Sequence, residues 1–394
     1  MDILLKDLKW IKGNDLFTGD LRISRGKIKQ IGSSLTANRK ERVIRLANHY
    51  LYPGLINGHD HLEMNLYPHL GNPPYKNYTQ WARDIYKPND SPVKEIESVP
   101  MKYRLLWGGI KNLISGVTTV VHHNPWHREL GHPDFPVKVL KKYRWVHSLE
   151  FGDKVTQNFP ARSTTPFIIH AAEGIDQLAR AEIQRLFDLG ILKSNTVLIH
   201  GVGLSKNDIR LIQQADGSVI WCPSSNFYMF GQTADILEIK KYAKIGLGSD
   251  STMTGPVSLL EEMQVAVQTG QVTTKEVFEM VTVTPEKIFG LPPAGIREGG
   301  QADLLILPVL NPDYYENLVN QKPHHLTAVF VDGKLNFGDF AMSEELKLKL
   351  FPWKFANTVK GVAVDMQKVM SSILKKTGAK PLKGNPLWEM LSRG

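Results

Sequence analysis

Five stretches of apolar, β-branched residues in the middle of the chain constrain its fold more than any other feature of the sequence. Continuous apolar runs of this kind are typical of strands covered on both faces, as in parallel sheets. The predicted strands are GVTTVV (116–121), PFIIHA (166–171), TVLIHG (196–201), SVIWCP (218–223) and KIGLGSD (244–250). Apolar residues at helical spacing predict helices over 176–189 and 206–215. Alternating strands and helices over about 240 residues predict an α/β fold, a (β/α)8 TIM-like barrel over residues 53–290.

The two flanks of this segment have a different pattern. Residues 1–52 contain short apolar stretches separated by Gly, Asn and Asp, which indicates short strands and tight turns. The same pattern returns within 291–338, where Asp332-Gly333 is a hairpin signal between two strand-like runs. We expect 1–52 and 291–338 to form one small composite β-sandwich beside the barrel.

The last segment, 339–394, is predicted to be a basic helical extension. Residues 338–394 hold ten Lys and Arg against five Asp and Glu, so they supply +5 of the net charge of +9. An apolar stripe at helical spacing ends near Gly378 and predicts a packing face against the body or a partner subunit, which suits a homodimer. The stripe consists of Val359, Val362, Met366, Val369, Met370 and Ile373.

Composition indicates the class of protein and its compartment. The chain has 42% hydrophobic and 22% charged residues, as globular proteins do. The first residues do not resemble a secretion signal, no apolar stretch is long enough for a membrane helix, and Cys222 is the single cysteine, so a reducing cytoplasm is expected. Basic residues are not interleaved with aromatic ones, and no base-reading motif is present, so nucleic acid is not the expected partner.

The strongest local signal for chemistry is PGLINGHDHLEMN, residues 53–65. His59 and His61 are two apart at the end of a strand-like run, so both imidazoles can face one ion. A His-x-His pair also occurs by chance. Three further predicted strands end in His170, His200 and Asp250, and the carboxyl ends of barrel strands form one active-site face. Taken singly, these histidines could be buried core residues and Asp250 a helix cap.

Together these motifs resemble the amidohydrolase superfamily, nearest the branch of heterocycle deaminases and triazine hydrolases that includes S-adenosylhomocysteine, guanine and cytosine deaminases. The resemblance covers about residues 1–338. It implies that His59 and His61 on the first strand, His170 on the fifth and Asp250 on the eighth are metal ligands. It further implies catalytic roles for Asp250, for Glu173 as a proton shuttle and for His200 of the sixth strand. The segment CPSSN (222–226) resembles the seventh-strand segment of that branch.

The chemistry of the same residues also suggests a mechanism, independently of the resemblance. A divalent ion bound by three imidazoles lowers the pKa of its water to about 7. Asp250 can accept the water proton, Glu173 can protonate the leaving or ring nitrogen, and His200 can polarise the attacked bond. Glu173 could instead be a solvated carboxylate in the first turn of a helix.

The number and kind of metal ions follow from the same comparison. Two-metal members of the superfamily use a carboxylated lysine on the fourth strand, and the nearby lysine here is Lys154, in a stretch that is a poor strand. Because Glu173 is present, we predict one divalent ion. Zinc fits the His and Asp ligands, and Fe²⁺ or Mn²⁺ would also accept them.

The substrate pocket is less well defined by the sequence. Only 108 residues lie between His61 and His170, so we expect a barrel distorted around its third and fourth strands, with KYRWVHSLEF (142–151) as the third. Candidate substrate-binding residues follow predicted strands or lie in the aromatic-rich loop 65–88. They are Glu63, Trp81, His122, His123, Asn124, Glu150 and Asn226.

These observations predict a metal-dependent hydrolase that cleaves a C–N bond of a small molecule by hydrolytic deamination of an amino-heterocycle or amidine. Two alternatives stay open at this point. One is an amide or cyclic-amide hydrolase with the same metal-bound hydroxide. The other is a non-catalytic barrel that serves as a scaffold.

Overall fold

The computed structural model describes residues 2–151, 154–293 and 295–392. Its strands, numbered in chain order, are β1 (Ile3–Lys12), β2 (Asp15–Ser24), β3 (Lys27–Gly32), β4 (Arg42–Arg45), β5 (His49–Pro53), β6 (Leu55–Asp60), β7 (Val117–His122), β8 (Lys138–Val139), β9 (Arg144–Trp145), β10 (Phe167–Ala171), β11 (Thr196–His200), β12 (Ser218–Trp221), β13 (Lys244–Leu247), β14 (Leu304–Pro308), β15 (Ala328–Val331), β16 (Lys334–Asp339), β17 (Phe351–Phe355) and β18 (Thr358–Val362).

The helices are α1 (Tyr78–Ile85), α2 (Val93–Glu97), α3 (Met101–Leu113), α4 (Val155–Asn158), α5 (Gln177–Asp188), α6 (Lys206–Ala215), α7 (Pro223–Phe230), α8 (Ile236–Ile239), α9 (Leu259–Gln268), α10 (Thr274–Met280), α11 (Val283–Phe289), α12 (Tyr314–Val319), α13 (Phe340–Glu345), α14 (Met366–Thr377) and α15 (Pro386–Ser392). Short 3-10 helices lie at Leu62–Met64, Arg128–Gly131, Pro323–His325 and Lys380–Leu382. None of the described helices is long and apolar enough to cross a membrane.

Eight parallel strands form the centre of the molecule, and they follow one another in chain order. Strands β6, β7 and β8 form one sheet, and β9 to β13 form a second. The Asp250 amide, just beyond β13, donates to the carbonyl of His59 in β6 at 3.1 Å, so the two sheets meet at this edge. The five strands predicted from apolar runs are all present, at β7 and β10 to β13.

The distortion expected around the third and fourth strands has a simple cause. Strands β8 and β9 are only two residues long, and residues 140–143 connect them without a helix. The single long strand predicted at 142–151 is therefore wrong. Only Arg144 and Trp145 of that stretch are in a strand, and this strand is the fourth of the eight, since β8 precedes it. A strand of two residues is too short to produce a recognisable pattern of hydrophobic residues in the sequence.

Local signals explain the ends of two predicted helices. Asp176 caps α5 by accepting from the Ala179 amide, and the chain turns away at Gly190, whose φ is +67°. Ser205 and Asp208 form a reciprocal capping box at the start of α6.

Both flanks contribute strands to one ten-stranded sheet, with the order β17-β18-β16-β15-β14-β5-β1-β2-β3 and with β4 beside β1. Asp332 and Gly333, with φ of 48° and 73°, form the turn between antiparallel β15 and β16, as the sequence predicts.

The extension is not purely helical, which corrects the prediction for 339–394. Val359 and Val362 lie in strand β18, which pairs with β16 and β17, whereas α14 begins only at Met366. Their β-branched side chains fit the strand, where Val362 is fully buried and Val359 exposed. Strand β16 itself crosses the predicted boundary at residue 338, so the extension continues the sheet.

Helix α3 packs on the segment that follows β6, and Gly108 permits the approach. A Cβ atom at Gly108 would overlap the carbonyl group of Leu62. In an ordinary helix, Gly→Ala stabilises by about 0.5–1 kcal/mol. We predict the opposite sign for Gly108→Ala, a loss of about 1–3 kcal/mol in the free energy of unfolding, from overpacking against backbone.

Urea unfolding of Gly108→Ala measures this loss, and Gly295→Ala is the matched control because nothing lies within 4 Å of its added Cβ. A Gly108→Ala protein at least as stable as the parent would contradict the close packing of α3.

Candidate metal and active site

The end of β6 and the turn after β13 bring three predicted ligands together. The Nε2 atoms of His59 and His61 lie 3.7 and 3.8 Å from Asp250 Oδ1. His61 Nε2 lies 3.4 Å from Nε2 of His170, at the end of β10. Ligand nitrogens about 2.1 Å from a tetrahedral ion would be about 3.4 Å apart, so the spacing fits a single ion of zinc's size.

The hydrogen-bonding state of the histidines also fits a metal ion. Both ring nitrogens of His59 are buried and have no hydrogen-bond partner, and Nδ1 of His61 has none either. Buried polar atoms are normally paired, so such atoms mark a place where an ion or water belongs. Burial, together with neighbouring imidazoles, lowers the pKa values of His59 and His170 well below the usual range. Neutral imidazole is the form that binds metal.

Backbone contacts orient His170. Its Nδ1 donates to the carbonyl oxygen of His147 at 2.7 Å, which leaves the Nε2 lone pair for an ion. The ring of His147 lies 4.6 Å from the ring of His170 and lines the cavity above it. Burial lowers the pKa of His147 to about 4, so this ring is neutral at physiological pH. The sequence analysis did not select His147, because it follows a strand of two residues.

Two of the three oxygen contacts of Asp250 come from hydroxyl groups. Ser225 and Thr254 donate to Asp250 Oδ2 at 2.8 and 2.9 Å, and the Ser251 amide donates to Oδ1 at 2.7 Å. The carboxylate is thus fixed with Oδ1 towards His59 and His61. Asp250 has a φ of 54°, a backbone conformation that is uncommon for residues other than glycine and is held by surrounding contacts.

Glu173 and His200 form a second pair beside these ligands. His200 Nε2 lies 3.5 Å from Glu173 Oε1, and both side chains are buried. Burial, and then the charge of Asp250, raises the pKa of Glu173 well above its usual value, which favours the protonated carboxyl group. His200 Nδ1 bonds Asn226 Oδ1 at 2.9 Å, and since that oxygen only accepts, Nδ1 carries the proton. Asn226 therefore orients His200.

A buried polar network lies beneath the metal-ligand strands. Lys111 of α3 donates to Asp60 Oδ2 at 3.3 Å, to Ser249 Oγ at 3.1 Å and to the Asp250 carbonyl at 2.5 Å. Asn112 adds a bond of 2.7 Å to Asp60 Oδ2. Sequence reasoning missed this network, because α3 carries no motif and lies far from both strands in the sequence.

The cavity above the histidines has a volume of about 120 Å³. Its polar wall is formed by the groups already described and by His147. Its other wall is aromatic and thioether-rich, formed by Met64, Tyr78, Trp81, Phe151, Met229 and Met253. Trp81 is thus at the cavity, as predicted, and its Nε1 donates to the Leu70 carbonyl at 2.9 Å.

The other predicted substrate residues lie elsewhere. Asn124 donates to Glu63 Oε1 at 2.7 Å, and Glu63 Oε2 lies 3.7 Å from His122 Nε2, all within the interior. Glu150 pairs with Arg185 at 2.6 Å on the outside of the molecule. None of these four lines the cavity. Glu63 Oε2 and His122 Nε2 face each other in the interior without a hydrogen bond.

His123 is part of the histidine cluster and is not in the cavity wall. Its ligand atom lies within 4.8 Å of those of His59, His61 and His170. Its Nε2 donates to the Val146 carbonyl at 2.9 Å, and its ring stacks on His170 at 4.3 Å between centroids. His123 therefore supports the ring of His170 from below.

Lys154 is exposed and precedes the short helix α4 in a left-handed conformation, with φ of 59°. It is not on a strand and does not line the cavity. A carboxylated lysine would be expected at the end of the fourth strand. That strand, β9, ends at Trp145 and is followed by Val146 and His147.

Comparison with known proteins agrees with this geometry. The amidohydrolase family profile matches residues 146–335. Residues 146–335 are therefore an amidohydrolase family domain. Among relatives, the 5-methylthioadenosine/S-adenosylhomocysteine deaminase of Pyrococcus furiosus is 24% identical, over 79% of this chain and 87% of the relative. The 5'-deoxyadenosine deaminase of Methanosarcina acetivorans is 25% identical, over 84% and 91%.

Solved structures of the family share the fold. An adenosine deaminase from Xanthomonas campestris with bound zinc matches with a TM-score of 0.73 and 14% identity, covering 95% of this chain and 97% of that one. A zinc complex of atrazine chlorohydrolase from Arthrobacter aurescens gives 0.69 and 16%, covering 95% and 100%. These similarities identify the eight parallel strands as a TIM-like barrel.

Lys111 offers a test of the network under the site. Lys111→Met leaves Asp60 buried without its cation, so we predict a loss of about 3–5 kcal/mol in the free energy of unfolding. We also predict weaker zinc binding, because the Asp250 carbonyl loses the shorter of its two hydrogen bonds and keeps only that from Ser249. Urea unfolding and zinc titration against a chelator measure the two effects.

The matched control is Lys360→Met, since Lys360 is also buried but bonds Asp339 and the Leu326 carbonyl, away from the site. Equal zinc affinity in the Lys111→Met and parent proteins would contradict a supporting role for Lys111.

Proposed function

We propose that this protein is a metal-dependent hydrolase that removes the amino group of an amino-heterocycle or amidine and releases ammonia. The observation that carries the proposal is the close approach of His59, His61, His170 and Asp250 beside the buried pair of Glu173 and His200. The amidohydrolase family domain at 146–335 and the deaminase names of the relatives support the same reaction.

In this proposal His59, His61, His170 and Asp250 hold one divalent ion, zinc. The ion supplies a water molecule whose pKa is lowered to about 7. Asp250 would be both a ligand and the carboxylate that could accept a proton there, since its Oδ1 faces His59 and His61 while Oδ2 accepts from two hydroxyl groups. The single-ion proposal is supported by the exposed position of Lys154, which leaves no carboxylated lysine for a second ion.

We assign the remaining proton transfers to Glu173 and His200. Glu173 is buried and protonated, so it can give its proton to a ring nitrogen or to the leaving amine. His200 has its proton on Nδ1, so Nε2 stabilises a developing oxyanion only after it receives a proton. Glu173 Oε1 lies 3.5 Å from His200 Nε2, so the Glu173 carboxyl group can supply this proton. The pair therefore holds one transferable proton, which reaches the substrate either from Glu173 or through His200, and not from both.

The cavity favours a compact substrate. A volume of about 120 Å³ and an aromatic, thioether-rich wall suit a flat ring such as a purine, pyrimidine or triazine. Hydroxyl groups of a nucleoside would need polar partners, and the Tyr78 hydroxyl is already bonded to Glu182. We propose Trp81 as a direct contact to the ring, and supporting roles for Asn226, His123, Glu63, His122 and Asn124 through the side chains they touch. Nothing in the surroundings of Glu150 supports substrate contact.

The two alternatives are less well supported. Cyclic-amide hydrolysis with two metals would use a carboxylated lysine, and a scaffold without catalysis would not need filled ligand and proton-transfer positions.

From the sequence alone we also propose that the protein acts in the cytoplasm as a homodimer, without nucleic-acid or membrane partners, and that its flanking strands form a β-sandwich.

Metal content tests the ligand assignment. Protein purified without chelator should hold about one zinc per chain, and Asp250→Ala should hold far less and lose turnover, because an anionic ligand and the proton acceptor are both removed. Elemental analysis gives the metal content, and circular dichroism checks the fold. Two ions per chain, or normal zinc content in Asp250→Ala, would contradict the assignment.

Ammonia release tests the reaction. The panel comprises amino-purines, amino-pyrimidines, amino-triazines, their nucleosides, amidines and cyclic amides. We expect ammonia from a ring amine, and Glu173→Gln should lower kcat by about 10²–10⁴-fold with its zinc content unchanged, because only the acidic proton is lost. Glu150→Gln serves as the control carboxylate and should retain activity. Full activity of Glu173→Gln would exclude the proton-transfer role, and turnover without ammonia would exclude deamination.

A further inference from the structure

The C-terminal segment reaches the loop that follows the first pair of metal ligands. Asn385, directly before α15, is completely buried. Its Nδ2 donates to the carbonyl oxygens of Asn65 and Tyr67 at 3.0 and 2.7 Å, and its Oδ1 accepts from the Trp388 amide at 2.7 Å. Both amide hydrogens and the oxygen of this side chain are therefore used, and its orientation is fixed.

The two carbonyls cannot be satisfied without Asn385. The other donor facing them is Thr252 Oγ1, 2.9 Å from the Asn65 oxygen and 2.8 Å from the Tyr67 oxygen. A hydroxyl has one hydrogen, so it serves one of the two oxygens at a time. Loss of the Asn385 donors would leave a buried carbonyl unpaired, and the loop would have to shift to find another partner.

This loop is tied to the ligands on both sides. The Asn65 amide group donates to Asp60 Oδ1 at 2.8 Å and to the His61 carbonyl at 3.1 Å, while its oxygen accepts from the Thr252 amide at 3.2 Å. Thr252 is two residues after Asp250. Asn65 and Thr252 thus join the segment after β6 to the segment after β13, and Asn385 holds the joint from outside the barrel.

The same segment packs on the helix that supports the site. The ring of Trp388 lies 5.5 Å from the ring of Trp107 in α3, the helix that carries Lys111 and Asn112. Leu387 and Leu391 of α15 are fully buried. The segment is therefore part of the core around the site and not a loosely attached tail.

We propose that Asn385 is a positioning residue for the metal centre, which acts through Asn65 and Thr252 to hold His61 and Asp250 in register. The inference rests on the proposed function in one respect, the assignment of His61 and Asp250 as metal ligands. It adds that residues 382–391 of the extension are needed for a tight centre.

Asn385→Asp tests the proposal with little change in shape. The new carboxylate still accepts from the Trp388 amide but gives no hydrogen to the Asn65 and Tyr67 carbonyls. We expect about tenfold weaker zinc binding in competition with a chelator, the order seen when groups that orient ligands are removed. We also expect an altered visible spectrum of the cobalt-substituted protein and a lower kcat at nearly unchanged KM.

Asn385→Ser and Thr252→Val provide further variants in case Asn385→Asp fails to fold. Each removes part of the same hydrogen-bond set, so the effects of Asn385→Ser and Thr252→Val on zinc affinity should be non-additive in the double variant. The matched control is Ile373→Ala, which removes a fully buried apolar side chain from α14 of the same extension and takes away none of these hydrogen bonds. It should lower Tm without changing zinc affinity or the cobalt spectrum.

The outcomes separate the two proposals. If the parent binds zinc and Asn385→Asp binds it equally tightly with the parent cobalt spectrum, the positioning role is overturned and the metal centre stands. If Ile373→Ala weakens zinc binding as much as Asn385→Asp, the effect is general destabilisation and the positioning role is again overturned. If the parent binds neither zinc nor cobalt, the proposed centre itself is wrong, and this inference with it.

Discussion

The buried ion pair between Lys111 and Asp60 lies where the two sheets of the barrel meet, and the arrangement above it depends on this contact. Asp60 stands between His59 and His61 in the chain, while Lys111 also bonds the Asp250 carbonyl. One ammonium group thus fixes the backbone on both sides of the metal-ligand cluster. A buried ion pair is costly to form, and its main effect here is to specify geometry. Lys111 bonds Asp60, Ser249 and the Asp250 carbonyl, and each of these residues is a proposed ligand or next to one in the chain.

The cluster itself is unfavourable in the absence of an ion. Several imidazoles are buried with unpaired nitrogens, and burial keeps them neutral by lowering their pKa values. Hydrogen bonds to neighbouring groups hold three of the rings in place. His170 bonds the His147 carbonyl, His123 bonds the Val146 carbonyl, and His200 bonds Asn226. A site of this kind is pre-organised, so binding an ion requires little rearrangement of its ligands.

The sequence was most informative where function requires a residue type at a strand end. The runs before His170, His200 and Asp250 are long enough for their apolar character to define strands, and the resulting order predicts that their ends meet. It was least informative where structure depends on contacts distant in sequence. Strands β8 and β9 are too short to show a period, which hid His147, and the roles of Lys111 and Asn385 follow only from their partners in the folded chain.

The substrate-binding predictions show the same limit in another form. A polar residue after a barrel strand was expected to face the cavity, but Asn124 instead donates to Glu63, and His122 lies beside Glu63 in the interior. Their positions are determined by which neighbouring groups need partners, and the sequence does not show those neighbours. Half of the aromatic and thioether wall, Tyr78, Trp81 and Met229, comes from α1 and α7, two helices that were not predicted from the sequence. The proposed metal ligands therefore lie at the ends of barrel strands, whereas part of the apolar cavity wall comes from the connections between strands, which vary more than the strands in proteins of one fold.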